Sequence, residues 1–494
     1  MTNVKKTIPP LDLLFLLTET AASPKHVGAV LLFARPPSGD PGFVGSIVAA
    51  YRNQPPVPPF NFVPELVNAG MPRFRTAEDF DPAYHVQHLA LPAGATHSTF
   101  LSLVADLHEP LLDRDRPLFR IWAIEGLPDG MFALYMKIHH AVIDGASGAQ
   151  RIFGSLSASA AGKLQPPPFA LELSARRPRP PKGLTDQLRS IRTSATHQAL
   201  ALKDISLGAL RKGIAGLAGA GMRGSLPFIA PRTPMNAPLT MARSFATLSL
   251  PLAEMRAVGK AFGATLNDVA ATIVDEGVHR YLRATGRATR DPLVAMCPMS
   301  LREEGDTEAA TKASAMFVPL GTPDATVVDR VGQVVASMAT AKEELRAMSK
   351  DAAMLYAIAA FGLAELAVAI PGNRVTRPLA NFVLSNVPGA RHTLYLNGAR
   401  LVGNFPISAL AANIGLNATL ASYGDTMDFG FVGNGTTMKG MPEVAAHTAA
   451  AYAELKAAAL PAKATAAKAG PRRTPRPKAD IGGGAGRSKR VGRS

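Results

Sequence analysis

The sequence predicts an α/β protein of two lobes, with mixed sheets and flanking helices, and three observations carry that prediction. Apolar and β-branched runs of strand length alternate along most of the chain with longer segments of helical periodicity. At 494 residues the chain exceeds what one core organises and fits two domains of roughly 200 residues each plus connections. Between Ser157 and Lys182 the composition shifts to Ala, Ser and Pro, with prolines at 166, 167 and 168 and a basic Pro-rich run from Arg176 to Pro181, which is linker chemistry. The division that follows is an N-terminal lobe over 1–156, a Pro-rich connection with a basic helix over 157–240, a C-terminal lobe over 241–460 and a basic tail over 461–494.

The first lobe opens with PLDLLFLLTE and then HVGAVLLFA, His26 to Ala34, an apolar run that reads as a buried strand. A polar, Pro-rich region to Tyr84 precedes a helix over Thr99 to Leu107. FRIWAIE, the turn Leu127-Pro128-Asp129-Gly130 and the apolar run from Met131 have the spacing of a hairpin. The connection carries a basic amphipathic helix predicted over Thr185 to Leu217 and then the segment FIAPRTPMNAP. The second lobe follows with a strand over Ser244 to Leu250 and a helix over Thr265 to Leu282. Next come the strands LVAMCP and SAMFVPL, a helix over Asp324 to Met348, an Ala-rich helix over Ala352 to Ile370 and the strand NFVLSNVPG. NIGLNATLASY and TMDFGFVGN are the closing strands, before a helix over Pro442 to Leu460. No internal repeat has a fixed period.

Hydrophobic residues make up 47% and charged ones 18%, enough for large cores and an apolar internal surface. The net charge of +16 is concentrated at the end, where residues 461–494 carry ten Lys/Arg against Asp480 alone. The remaining mild excess suits an anionic substrate or a lipid surface without demanding nucleic acid. Cys297 is the single cysteine, so no intrachain disulfide forms and no metal-binding pattern exists, and a reducing cytoplasm is the simplest compartment. The N-terminus imitates a secretion signal, but Pro9, Pro10 and Asp12 interrupt it too early. Ala352 to Ile370 is long enough to span a bilayer, yet its alanines and Glu365 favour a buried or surface-seated helix.

The chemistry concentrates in HHAVIDG, His139 to Gly145. Consecutive side chains on a strand point to opposite faces, so Leu134, Met136, Ile138 and His140 share one face and Tyr135, Lys137 and His139 the other. Only one histidine can easily enter a given cavity. An imidazole is the side chain best suited to take and return a proton near neutrality, although a lone His at a strand end is ordinarily a hydrogen-bonded core residue. Asp144 and Gly145 turn the chain into a helix that Asp144 can cap, or Asp144 can pair with a cation.

Further on, Thr265-Leu266-Asn267-Asp268 opens a helix with a capping-box spacing, and the Asn267 amide at a helix N-terminus is also a fair donor to a developing oxyanion. Ser385-Asn386-Val387-Pro388-Gly389 ends a strand in a turn. Gly415 interrupts another strand, where a ligand or a second backbone can come close.

The heptapeptide resembles the signature of the CoA-dependent acyltransferase superfamily. PLDLLFLLTE with HVG, DRDRPLF, HHAVIDG, APRTPMNAP, LNDV, PMSLRE, SAMFVPL, NFVLSNVPGA and GLNATLASYG stand in the order and at about the intervals of the bacterial wax ester synthase/diacylglycerol acyltransferase family. The resemblance covers Pro10 to Leu460. It departs at Phe119, where the family has Trp after Pro-Leu, and at Ala309 to Lys312, where the family has a Gly-Asn pair.

The resemblance implies a two-lobed fold like chloramphenicol acetyltransferase, with an active-site tunnel between the lobes. His140 would be the general base, with His139, Asp144 and Gly145 supporting it and Asn267 and Asp268 at the oxyanion or substrate. Ser385, Asn386 and Gly415 would belong to the tunnel or its turns. It further implies transfer of a long-chain acyl group from acyl-CoA to a fatty alcohol or diacylglycerol, with no other cofactor. The protein would work in the cytoplasm, at the inner face of the membrane or at lipid inclusions, and no specific nucleic acid is expected. Two alternatives stand beside this: an HHxxxDG enzyme acting on carrier-protein thioesters, and a non-catalytic coat of lipid inclusions.

Overall fold

Apolar β-branched runs become strands and the periodic segments become helices. A computed structural model describes residues 5–37, 40–66, 71–173, 227–300, 313–369 and 377–460. The helix expected over 185–217, the tail over 461–494 and the departure at 309–312 lie outside the described residues.

The strands are β1 Lys5–Thr7, β2 His26–Ala34, β3 Phe62–Glu65, β4 Arg73–Thr76, β5 Val86–Ala90, β6 Phe119–Glu125 and β7 Met131–His139. They continue with β8 Arg243–Pro251, β9 Val294–Ser300, β10 Ala313–Pro319, β11 Phe382–Val387, β12 Tyr395–Leu396, β13 Ala399–Ile407, β14 Leu416–Tyr423 and β15 Thr426–Asn434. The helices are α1 Pro10–Thr18, α2 Phe43–Arg52, α3 Pro82–His85, α4 His97–His108 and α5 Gly145–Gly154. They end with α6 Leu252–Ala261, α7 Leu266–Ala284, α8 Val327–Arg346, α9 Lys350–Ala369 and α10 Met441–Ala459.

Two six-stranded mixed sheets result, in the orders β12-β13-β2-β7-β6-β5 and β10-β9-β11-β14-β15-β8, beside a small sheet β1-β4-β3. The hairpin expected from Leu118 to His140 is the antiparallel pair β6–β7. The helix expected over 99–107 starts two residues earlier, because Thr96 and Thr99 form a capping box ahead of the apolar run. The short strands β1, β3, β4 and β5 and the crossing pair β12–β13 have no counterpart in the sequence reading.

Strand β13 is the consequential addition. It lies within 241–460 in sequence, yet it pairs along β2 from Arg400↔Ala34 to Ile407↔Gly28, which puts it in the first sheet. Crossing brings its backbone against β15: a Cβ on Gly430 would stand 1.8 Å from the Pro406 carbonyl oxygen, so only glycine fits there. The two sheets therefore meet through main chain.

In the second lobe, Val269, Ile273, Val278 and Leu282 of α7 are fully buried in one core with Val331, Val334 and Met338 of α8. The same interface buries Arg330, which reaches Asp275 Oδ2 at 2.5 Å and Glu276 Oε2 at 2.9 Å. A buried guanidinium is tolerable only with such partners, and they fix α8 in register on α7. Helix α9 is largely apolar, and no helix among the described residues is long and apolar enough to cross a membrane.

Candidate active site

Strand β7 delivers the two histidines to opposite faces. On the inner face Met136, Ile138 and His140 line a cavity of about 610 Å³, within the range of roughly 300–1,000 Å³ typical of ligand sites. On the outer face Tyr135 and His139 are wholly buried; Tyr135 pairs with His108 at 2.6 Å, and Lys137 donates to the carbonyls of Leu107, at 3.1 Å, and Pro110.

His140 is partly exposed and Phe15 of α1 packs on its ring, centroid to centroid at 4.7 Å. Its Nδ1 is enclosed by protein, so the Nε2 edge is the one that opens to the cavity. Burial lowers the pKa of His140 below its ordinary value, while Asp144 and the residue's own carbonyl pull it upward. The ring is therefore neutral near pH 7, the state that can accept a proton.

His139 makes no contact with the cavity. Its Nδ1 accepts from the Ala141 N–H at 3.1 Å, which places the ring proton on Nε2, facing Glu19 Oε1 at 3.3 Å. Glu19 follows α1, where the chain turns extended (φ −67°, ψ 130°) and carries the carboxylate inward. Burial alone would raise its pKa, but His139, the Lys25 N–H and Arg114 together bring it down to about 2. Arg114 also holds the Leu16 carbonyl at 2.7 Å. PLDLLFLLTE, DRDRPLF and HHAVIDG thus converge on one buried pair, and Glu19 and Arg114 are functional candidates to which no local pattern in the sequence assigns a role.

Asp144 caps α5 by accepting from the Ser147 N–H at 2.9 Å. Gly145 leaves room for the second lobe: an added Cβ would stand 3.4 Å from Val387 Cγ2 of β11. Ser385 and Asn386, at the end of β11, line the same cavity as His140. Asn267 does not line it; it accepts from Asn386 Nδ2 at 2.7 Å. Asp268 closes a capping box with Thr265, its Oδ2 taking the Thr265 N–H at 2.8 Å. Gly415 lies apart from the cavity: its N–H donates to the Met235 carbonyl at 2.6 Å, and a Cβ would stand 3.0 Å from that oxygen. The close neighbour that glycine admits is backbone, and a tunnel role for Gly415 is set aside.

Among the described residues no group of His, Cys, Asp or Glu has the arrangement of a metal site. Most of the cavity wall is apolar, with aliphatic side chains from Leu11 and Leu14 of α1 to Leu379, Val383 and Leu410.

Fold and site together define an acyltransferase of the HHxxxDG class. Residues 8–270 match the wax ester synthase/diacylglycerol acyltransferase catalytic domain and residues 311–456 the C-terminal domain of the same group. The chain belongs to the wax ester synthase/diacylglycerol acyltransferase family. It is 34% identical over 425 residues to a putative diacylglycerol O-acyltransferase of Mycobacterium bovis, covering 84% of this chain and 89% of the relative. Another putative diacylglycerol O-acyltransferase, from Mycobacterium tuberculosis, is 34% identical over 470 residues, 91% of this chain and 99% of that one. The wax ester synthase/diacylglycerol acyltransferase of Marinobacter aquaeolei superposes with a TM-score of 0.72 at 28% identity, over 92% of this chain and 99% of that one. The first condensation domain of the calcium-dependent antibiotic synthetase shares the fold alone, with a TM-score of 0.55 at 16% identity over 92% and 96% of the two chains.

Proposed function

We propose that this acyltransferase moves a long-chain acyl group from acyl-CoA to the hydroxyl of a fatty alcohol or diacylglycerol, with His140 as the general base. The observation that carries the reading is the open Nε2 edge of His140 in an apolar cavity of about 610 Å³. His140 Nε2 takes the hydroxyl proton as the alcohol oxygen attacks the thioester carbon. The C–S bond then breaks, and the same Nε2 returns the proton to the departing CoA sulfur, leaving ester and free CoA. Asn386, which lines the cavity and whose amide is oriented by Asn267, would be the side-chain donor that steadies the intermediate oxyanion. No acyl-enzyme is needed.

Aliphatic walls suit the acyl chain, each methylene of which contributes roughly 0.8 kcal/mol on burial. We further propose that the protein works peripherally, at the inner face of the membrane or at lipid inclusions, where such substrates reside. Lys/Arg-rich residues 461–494 would supply electrostatic attraction of up to about 1 kcal/mol per basic residue near an anionic surface.

Labelled palmitoyl-CoA incubated with the full chain and either hexadecanol or dioleoylglycerol should give ester, and folded His140→Ala should give none. Ester formed by His140→Ala at the wild-type rate would overturn the assignment. Acyl transfer confined to carrier-protein thioesters would favour the condensation-type alternative.

A further inference from the structure

The cavity holds an ion pair that the proton-transfer chemistry does not use. Lys25 precedes β2, and since His26 pairs with His139 across the ladder, Lys25 stands opposite His140 on the same face. Its carbonyl accepts the His140 N–H at 2.8 Å. Residues so placed have Cβ atoms about 5 Å apart. From there the Lys25 side chain, itself 5% exposed, runs to Glu365 of α9, with Nζ 2.7 Å from Oε1 and 2.9 Å from Ser23 Oγ. Both Lys25 and Glu365 line the cavity.

An ion pair in an apolar cavity costs desolvation that an aliphatic pair of similar size would avoid, so stability does not explain its presence. An ammonium has three donors and a carboxylate two oxygens. Among the described residues, Ser23 and Glu365 Oε1 take two of the donors, so a third N–H on Lys25 and Oε2 of Glu365 remain for a ligand beside His140.

Resting on the acyltransferase reading above, we propose that Lys25, held by Glu365, is the residue that selects diacylglycerol by donating a hydrogen bond to an ester carbonyl of its glycerol backbone. A fatty alcohol has no polar group but the hydroxyl that goes to His140. Diacylglycerol carries ester carbonyls a few bonds from its reacting hydroxyl, within the span between adjacent strands. Glu365 keeps the ammonium at the cavity wall, where Lys25 acts as a specificity residue.

The test compares kcat/KM for dioleoylglycerol and hexadecanol, with palmitoyl-CoA as donor, in the full-length chain and in Lys25→Met, Lys25→Arg and Glu365→Gln. Lys25→Met should lower the ratio of diacylglycerol to alcohol roughly 10- to 100-fold, chiefly through KM for diacylglycerol. Lys25→Arg, which keeps a donor, should restore most of it, and Glu365→Gln should fall between. An equal loss with both acceptors would make the pair a structural tie and overturn the proposal, as would an unchanged ratio. A wild-type protein that esterifies hexadecanol but not dioleoylglycerol would overturn it too. If Lys25→Met fails to fold, Glu365→Gln decides: a lowered ratio supports the proposal, and an unchanged ratio or an equal loss with both acceptors overturns it. Absence of any ester from the wild-type chain would instead defeat the acyltransferase reading itself.

Discussion

His139 Nε2 stands 3.3 Å from Glu19 Oε1, both groups almost completely shielded from solvent, directly behind the strand that presents His140 to the cavity. The first histidine of the motif is thereby bound into the wall while the second is left open. With its Nδ1 accepting from the Ala141 N–H, His139 fixes the backbone on both sides of His140.

Glu19→Gln should weaken the protein in a way that depends on pH. The Glu19 pKa of about 2 lies below the ordinary 4.5, so its contribution is fully present above 4.5 and is lost as pH falls toward 2. At pH 7 that contribution is on the order of 3 kcal/mol. The gap in urea-unfolding free energy between wild type and Glu19→Gln should narrow by about 2 kcal/mol between pH 7 and pH 3. A gap independent of pH would show that Glu19 is not held ionised.

His139→Ala should keep measurable esterification at reduced stability, since His139 faces away from the cavity. His140→Ala should keep stability and lose turnover. Melting temperature and single-turnover rate measured on the same preparations separate the two, and the reverse pattern would contradict the assignment of faces.

The acid limb of kcat/KM should lie below pH 6.5, because burial holds the His140 pKa under that ordinary value and the neutral ring is the active form. Asp144 opposes the shift, so Asp144→Asn should move the limb further down while keeping a side chain that caps α5 about as well. A limb that moved upward would mean that Asp144 does not act on His140 through its charge.

Asn386→Ala should lower kcat about 10²–10³-fold, the usual loss on removing one oxyanion donor. Asn267→Ala should cost less, because it only frees the Asn386 amide, and the Thr265–Asp268 capping box that starts α7 remains. Equal losses with an unchanged melting temperature in both would place the donor on Asn267.

Much of this was legible in the sequence because it depends on local periodicity. The two-residue repeat of β7 put His139 and His140 on opposite faces, the capping-box spacing set the start of α7, and the alternation of apolar runs gave both sheets their principal strands. Tertiary structure decided the rest. Gly415 reads as a glycine that admits either a ligand or a second backbone, and only the packing decides that the neighbour is the Met235 carbonyl; a glycine in a strand says only that something comes close. Asn267 reads like an oxyanion donor, yet it reaches the cavity only through Asn386, because a helix N-terminus fixes an amide's direction and not what lies 3 Å away. β13 crosses into the first sheet, Glu19 meets His139 across 120 residues and Lys25 meets Glu365 across 340. Local patterning fixes which way a side chain faces; which charge it meets there is set by packing of segments far apart in sequence, where no short-range periodicity carries the information.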